Sequence, residues 1–125
     1  MRGDYQRLKL VCQILLFVLC WIGGLAPLQS NAAETADSLF GDVCAVCHGA
    51  GGKGDGPSAA GLHPKPADFT DCKAMAKDSD ETLFKIIRDG GQSVGRSTVM
   101  PSWKDSLSED QIRSLVKYIR GLCKK

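Results

Sequence analysis

The sequence predicts a small all-α fold with three main helices and two long loops. Apolar residues recur at helical spacing in three stretches of the 125-residue chain, while no stretch alternates as a half-buried β-strand would. Glycine and proline are concentrated between these stretches and interrupt regular structure there. The length is that of one domain, which we expect to occupy residues 33–125.

The first predicted helix extends from Thr35 to His48. Its apolar positions follow the i, i+3, i+4, i+7 pattern of an amphipathic helix, and they are Phe40, Val43, Cys44 and Cys47. Thr35 or Asp37 can cap its start. Both cysteines therefore lie on the predicted buried face, with His48 just beyond them.

A loop without helical or strand pattern spans residues 49–78. Five glycines lie within residues 49–56, and three prolines follow at Pro57, Pro64 and Pro66. A structureless stretch of this length is uncommon in a compact domain unless it surrounds a ligand. The loop therefore favours a bound cofactor that completes the core.

The second predicted helix is capped by Ser79 or the residue after it and ends at the Gly90-Gly91 pair. Its apolar face consists of Leu83, Ile86 and Ile87. The third predicted helix follows Ser108, which forms a capping-box pattern with Gln111. The apolar positions of this last helix are Ile112, Leu115, Val116, Ile119 and Leu122.

Residues 1–32 have the layout of a secretory signal peptide. The basic residues Arg2, Arg7 and Lys9 precede the apolar run Leu10–Ile22. Small residues before Ala33 predict cleavage there and export to the periplasm. The apolar run is shorter than the roughly 20 residues of a membrane-spanning helix. An uncleaved membrane anchor facing the periplasm and a lipoprotein signal at Cys20 are the alternatives.

The predicted mature chain is close to electrically neutral. It has 13 basic and 13 acidic residues once the leader is removed. Duplex nucleic acid is bound by a basic surface that displaces counterions. Nucleic acid is therefore not an expected partner.

The pattern Cys44-Ala-Val-Cys47-His48 predicts covalent haem attachment. Two thiols three positions apart add across the two vinyl groups of one haem, and the adjacent imidazole then ligates the iron. Cys-x-x-Cys alone is also found in dithiol redox sites and in zinc sites. The first of these favours a strand-helix-strand pattern and the second needs another ligand pair, so one haem c is the expected cofactor.

The iron needs a sixth ligand, for which Met75, Met100 and His63 are candidates. Met100 is preferred because it lies in a polar loop between two helices and precedes Pro101, which restricts the backbone. Met75 can instead fill the core, and His63 can be a solvated loop residue or contact a haem propionate. An open sixth position is the remaining alternative. A His48 and Met100 pair raises the reduction potential, because the thioether favours ferrous iron.

The mature chain resembles the class I cytochromes c of bacteria. The resemblance rests on the segments Cys44–Gly49, Gly52–Pro57 and Pro66–Phe69. It implies a small cytochrome c fold whose long loops wrap around one haem. It also implies that His48 is the proximal ligand and Met100 the distal ligand.

The same resemblance implies three supporting contacts. A proline carbonyl accepts a hydrogen bond from the proximal histidine; this is expected to be Pro57, with the two later prolines of the loop as alternatives. Trp103 is expected to close over the haem edge, the alternative being an ordinary surface residue. Phe40 and Tyr118 are expected to pack where the first and last helices cross.

Cys72 and Cys123 are the two cysteines outside the leader and the attachment motif. An even pair left over in an exported chain suggests a disulfide. Such a bridge ties the middle loop to the end of the last helix, and closing a loop of about 50 residues stabilises by about 3 to 5 kcal/mol. We therefore predict a Cys72–Cys123 disulfide.

These features predict an electron carrier without catalytic residues. An iron with both axial positions filled exchanges electrons but binds no substrate, so the expected role is one-electron transfer in a periplasmic respiratory chain. The protein is expected to be a monomer that meets redox partner proteins transiently. Two alternatives are a haem enzyme or gas sensor with a labile sixth ligand, and a membrane-tethered cytochrome subunit of a respiratory complex.

Overall fold

The computed structural model describes residues 35–123, and within them it is helical with no β-strand. The predicted all-α class is therefore confirmed, while the predicted leader, residues 1–32, lies outside the described residues. In chain order the elements are α1 (Ala36–Leu39), a π-helical segment (Phe40–Cys44), α2 (Ala45–His48), α3 (Cys72–Met75), α4 (Asp80–Asp89), a 3₁₀ turn (Gly91–Val94) and α5 (Glu109–Leu122).

The first three elements form the one continuous helical stretch that the sequence predicts. Thr35 caps it, since its side-chain hydroxyl accepts a hydrogen bond from the Ser38 amide at 3.2 Å. The π-helical segment, which apolar spacing did not reveal, ends at Cys44, the first residue of the attachment motif. Such segments are frequent next to functional sites.

Helices α4 and α5 begin and end as predicted. The Ser79 hydroxyl accepts from the Thr82 amide at 3.1 Å, and Gly90 ends α4 with a φ of +86° that favours glycine. At α5 the Ser108 hydroxyl accepts from the Gln111 amide, and the Gln111 side chain accepts from the Ser108 amide. All five predicted apolar positions of α5 are buried: Ile112, Leu115, Val116, Ile119 and Leu122.

The core is centred on the contact between α5 and the first helical stretch. Phe40 is 1% exposed, and its ring centroid lies 5.1 Å from that of Tyr118. The Tyr118 hydroxyl donates to the Asp37 carboxylate at 2.8 Å. This is the aromatic pair predicted at the crossing of the first and last helices, and its position is confirmed.

Helix α3 lies in the middle loop, where no helix was predicted. Its four residues are too few to show an apolar period, and it is capped by the Asp71 carboxylate, which accepts from the Ala74 amide at 3.0 Å. Arg120 of α5 holds the segment that follows, because its guanidinium donates to the carbonyls of Met75 and Asp78. A long-range contact therefore stabilises this element.

Within residues 35–123, no helix has both the length and the apolar character that crossing a bilayer requires.

Candidate haem site

A cavity of about 520 Å³ lies between the end of α2, the middle loop, α3, α4 and the loop after α4. It brings together His48, Met75 and Met100, which are far apart in the sequence. Its other walls are mainly apolar, with Leu62, Phe69, Leu83, Ile86, Ile87 and Ile119 among them. The volume lies in the range of small-molecule and cofactor sites.

The residues around this cavity fit a haem. Apolar side chains suit a flat macrocycle, an imidazole and a thioether are established axial ligands of haem iron, and Cys47 places a thiol in the cavity wall. Cys44 is half-buried and packs against the core. Burial raises the pKa of Cys44 to about 11, with a smaller contribution from the Cys47 charge, so Cys44 stays protonated near neutral pH.

The glycine-rich loop, residues 49–58, fixes the end of α2. The last carbonyls of a helix have no partner within the helix and need other donors. Here amides of the loop supply them: Gly54 to His48 at 2.8 Å, Gly56 to Cys47 at 3.1 Å and Ser58 to Val46 at 2.8 Å. The attachment motif is therefore held by the loop that follows it in the sequence.

His48 is half-buried and lines the cavity. Its Nδ1 lies 3.2 Å from the carbonyl oxygen of Ala67, so Nδ1 carries the proton and donates, which leaves the Nε2 lone pair for a metal. The ring stacks on Phe69, with centroids 4.5 Å apart and planes 18° apart. Burial lowers the pKa of His48 more than the hydrogen bond to Ala67 raises it, which favours the neutral imidazole that binds iron.

The acceptor expected at Pro57 is therefore wrong, because the ring contacts the carbonyl of Ala67. Pro57 is exposed within the glycine-rich loop and does not line the cavity. Any residue supplies a main-chain carbonyl, so no residue type marks this acceptor in a sequence.

Met100 is half-buried and lines the cavity from the methionine loop, residues 95–104. Its own carbonyl accepts from the Gly91 amide at 3.0 Å. Further hydrogen bonds join the loop to the end of α4: the Trp103 amide to Ile87 at 3.1 Å, the Lys104 amide to Arg88 at 3.0 Å, and the Ser102 hydroxyl to Arg88 at 2.7 Å. These contacts place Met100 without a helix of its own.

An ion pair at the cavity joins the methionine loop to the segment before α4. The Arg96 guanidinium donates to both carboxylate oxygens of Asp78, at 2.7 and 2.5 Å. The Asp78 side chain is 14% exposed and that of Arg96 is 49% exposed. Hydrogen bonding from Arg96 lowers the pKa of Asp78, with burial as an opposing cause. Sequence reasoning missed this pair, because 18 residues separate its members.

The remaining predicted residues are in different environments. Met75 lines the cavity and is 4% exposed, so both methionines reach it. His63 is exposed and does not line it. Trp103 is half-buried and packs against the core, outside the cavity lining, so the structure does not support a haem-edge role.

Cys72 and Cys123 are neighbours, but both are free thiols in the structure. The Cys72 thiol donates to the main-chain carbonyl of Cys123. The predicted bridge is therefore not formed here.

The fold is all-α, and it brings the Cys-x-x-Cys-His motif at the end of α2 and a methionine to one apolar cavity. These features define a c-type cytochrome of class I, with haem c as its cofactor. A family model described as cytochrome c oxidase, cbb3-type, subunit III matches residues 31–119. The chain belongs to this family.

Comparisons with individual proteins agree with this assignment. The chain is 30% identical over 120 residues to the cbb3-type cytochrome c oxidase subunit FixP of Rhizobium meliloti, covering 96% of this chain and 37% of that protein. It is 30% identical over 112 residues to the subunit CcoP of Cereibacter sphaeroides, covering 90% and 34%. The chain thus spans about a third of the length of these relatives.

A solved structure shows the same fold. It is the KustC0563 c-type cytochrome, which is 26% identical to this chain with a TM-score of 0.56. The match covers 70% of this chain and 96% of that protein.

Proposed function

We propose that the chain is a monohaem electron-transfer domain that passes one electron at a time to a terminal oxidase of the cbb3 type, as a cytochrome subunit of that complex. The observation that carries the proposal is the cavity lined by Cys47, His48 and Met100. The family match and the FixP and CcoP relatives, which are oxidase subunits by name, support the choice of complex. One Cys-x-x-Cys-His pattern in the sequence supports one haem.

A haem bound in this cavity supplies an iron that alternates between the ferric and ferrous states. The chain's own groups prepare the site for that change. Ala67 orients the His48 ring and keeps its proton on Nδ1, while apolar walls exclude water. The hydrogen bonds that hold α2 and the methionine loop limit movement of both ligands, and a methionine ligand favours the reduced state.

The identity of the sixth ligand is tested by two matched substitutions. Met100→Leu and Met75→Leu both remove a sulfur while keeping similar volume, so the fold tolerates them similarly. We expect Met100→Leu to abolish the far-red charge-transfer band of the oxidised haem protein and to lower its reduction potential, and Met75→Leu to leave both unchanged. The reverse result identifies Met75 as the ligand. Rapid carbon monoxide binding by the unmodified ferrous protein would instead favour the enzyme or sensor alternative.

The haem count and the processed N-terminus are measured on one sample. We propose that residues 1–32 direct export to the periplasm and that cleavage precedes Ala33. Intact-mass spectrometry of the exported protein is expected to show one haem and a chain that starts near Ala33. A retained leader indicates the membrane-anchored alternative, and a second haem contradicts the monohaem proposal.

The oxidase partnership is tested with a purified cbb3-type oxidase that lacks its own cytochrome subunits. We expect the reduced protein to be reoxidised by that purified oxidase. In a separate measurement, we expect it to co-purify with a cbb3-type oxidase from detergent-solubilised membranes. Reoxidation without co-purification identifies a free carrier. Failure of both measurements, with haem and ligands intact, rejects the partnership while leaving the electron-transfer site in place.

A further inference from the structure

Three residues with charged side chains line the haem cavity in addition to the expected ligand His48. They are Lys65, Asp78 and Arg96, whereas most of the other lining residues are apolar. A charge next to an apolar wall is costly unless it meets water or an opposite charge. Axial ligation of the iron uses none of these three residues, so their position at the cavity wall points to a charged part of the ligand.

The guanidinium of Arg96 has hydrogen-bond donors that Asp78 does not use. A guanidinium carries five N–H groups. Here Nη1 donates to Asp78 Oδ2 at 2.7 Å, and Nη2 donates to Asp78 Oδ1 at 2.5 Å. Among the described residues the Arg96 side chain makes no other hydrogen bond, so Nε–H and one N–H on each terminal nitrogen remain. The Nε–H and the terminal N–H beside it form a second fork that matches a second carboxylate.

Both partners of this ion pair are fixed through the main chain. The Arg96 amide donates to the carbonyl of Gly91 at 3.0 Å, and Gly95 before it ends the 3₁₀ turn in the left-handed conformation. On the other side of the pair, Arg120 donates to the main-chain carbonyl of Asp78. The guanidinium is therefore held at the cavity wall before a ligand binds, which reduces the entropy lost on binding.

We propose that Arg96 binds a propionate carboxylate of the haem through the N–H groups that Asp78 leaves free. Haem has two propionates on the edge away from its two vinyl groups. Because Cys44 and Cys47 are expected to attach the vinyl edge at α2, the propionates need partners from other segments, and Arg96 belongs to the methionine loop. The inference rests on the proposed haem site and is independent of the oxidase partnership.

Arg96 suits this role better than the other candidates. His63, for which the sequence allowed a contact with a haem propionate, is exposed and does not line the cavity. Lys65 lines the cavity, but it is exposed, makes no ion pair within residues 35–123 and carries a point charge on a flexible stem. Asp78 offsets part of the Arg96 charge. The pair therefore directs a carboxylate by hydrogen-bond geometry rather than by net charge.

The test is resonance Raman spectroscopy of the haem-loaded protein, because the propionate bending band moves to lower frequency when a propionate loses a hydrogen bond. We expect Arg96→Gln to lower the frequency of this band while the far-red charge-transfer band of the oxidised protein is kept. The double variant Arg96→Gln/Asp78→Asn removes the ion pair without leaving an unpaired carboxylate on the protein, and it should show the same Raman shift. An unchanged band in Arg96→Gln would overturn the proposal. A double variant that regains the band of the unmodified protein would do the same, since Arg96 then serves Asp78 alone.

Arg113→Gln is the matched control. It removes the same charge from a surface pair with Glu81, and neither of these residues lines the cavity. Equal Raman shifts in Arg113→Gln and Arg96→Gln would contradict a specific contact with the haem.

Arg96→Lys covers the case in which Arg96→Gln yields too little folded protein, because it keeps the positive charge and removes only the fork. It is also expected to lower the frequency of the propionate band, and an unchanged band in this variant would count against the proposal. Unmodified protein without covalently bound haem would reject the proposed haem site itself. Normal haem content with an unchanged propionate band in the Arg96 variants would reject only the role of Arg96.

Discussion

The two loops that flank the haem cavity both supply hydrogen-bond donors to the end of a helix, but they position the expected iron ligands in different ways. The glycine-rich loop supplies donors to the last carbonyls of α2, and the methionine loop supplies donors to the last carbonyls of α4. His48, however, belongs to the helix that is capped, whereas Met100 belongs to the loop that does the capping. The position of His48 is therefore set by helix geometry, and that of Met100 depends on hydrogen bonds between loop and helix.

This difference predicts that the two sides of the site differ in robustness. On the His48 side the proposed thioether bonds from Cys44 and Cys47 would add covalent attachment to the haem. On the Met100 side the loop is held by main-chain hydrogen bonds, one hydroxyl and a partly exposed ion pair. Segments held in this way open at lower free energy than helices in the core. Changes near His48 should therefore affect the whole protein, and changes near Met100 should affect ligation first.

The largest effect is expected from Cys44→Ala/Cys47→Ala, which removes both points of attachment. Haem should be lost completely from the denatured chain, while Met100→Leu should retain it. Haem staining after denaturing electrophoresis measures this, and Cys72→Ser/Cys123→Ser serves as the matched control that keeps the stain. Haem that stays bound to the Cys44→Ala/Cys47→Ala chain through denaturation would contradict the attachment site.

A large loss of stability is expected from Gly56→Ala. An added Cβ would lie 2.5 Å from the Ala45 carbonyl oxygen and 2.6 Å from that of Val46, so the loop must move away from α2. We expect a loss of about 2 to 4 kcal/mol in the free energy of unfolding, as for other overpacked sites. Denaturant unfolding of the haem-loaded protein measures it.

Gly121→Ala is the control for this prediction, because, apart from the adjoining backbone of its own helix and its two chain neighbours, no described atom lies within 4 Å of the position that its added methyl carbon would take. In a helix it should stabilise by up to about 1 kcal/mol. Similar losses from both substitutions would show that the close approach of Gly56 to α2 is unimportant.

A smaller effect, confined to ligation, is expected from Gly90→Ala. Gly90 has a φ of +86°, and an added Cβ would lie 3.0 Å from the Met100 carbonyl oxygen. A strain of about 1 to 2 kcal/mol should weaken the hold on Met100 and increase the affinity for added imidazole by roughly 5- to 30-fold. Imidazole titration of the oxidised protein measures this shift.

Gly95→Ala, in the methionine loop, is the control for Gly90→Ala. Its φ is +72°, but no described atom outside Gly95 and its two chain neighbours lies within 4 Å of the added Cβ. Its ψ of +24° places it in the left-handed helical region, where alanine is less strained than at Gly90 with its ψ of +161°, and the contact with Met100 is missing. An equal gain in imidazole affinity from both variants would rule out a specific role for the contact at Gly90.

The smallest effect is expected from Asp78→Asn, through pH. Because Arg96 lowers the pKa of Asp78 below its ordinary 3.8, the ion pair stabilises the folded protein above that value. The contribution is lost as the pH falls below about 4 towards the lowered pKa. The pair is partly exposed, so it contributes at most about 1 kcal/mol to stability. The free energy of unfolding should therefore fall less steeply with decreasing pH in the variant than in the unmodified protein, as denaturant unfolding at a series of acidic pH values measures.

Glu81→Gln provides the comparison for Asp78. The Arg113–Glu81 pair has side chains that are 54% and 75% exposed, and its loss should change stability little. If the free energy of unfolding of both variants changes with acidic pH in the same way, the Asp78–Arg96 pair contributes nothing beyond an ordinary surface pair.

Much of the frame could be predicted from local pattern. The helix caps at Thr35, Ser79 and Ser108 could be predicted because each hydroxyl accepts a hydrogen bond from the amide only three residues further along the chain. Helix α3 was missed because four residues show no period and because Arg120, which holds it, is 45 positions away from Met75. The π-helical segment was missed because apolar spacing over so few residues does not distinguish it from an α-helix.

By itself the sequence determined the chemistry and the helices, since thiol spacing, helix caps and apolar periods act between residues close along the chain. The tertiary structure alone decided which groups meet around the cavity. Ala67 rather than Pro57 orients His48, Asp78 pairs with Arg96, and Met100 reaches the cavity from a loop that caps α4. Each of these contacts joins distant segments through a main-chain group or a surface charge, which carries no local signature until packing brings the partners together.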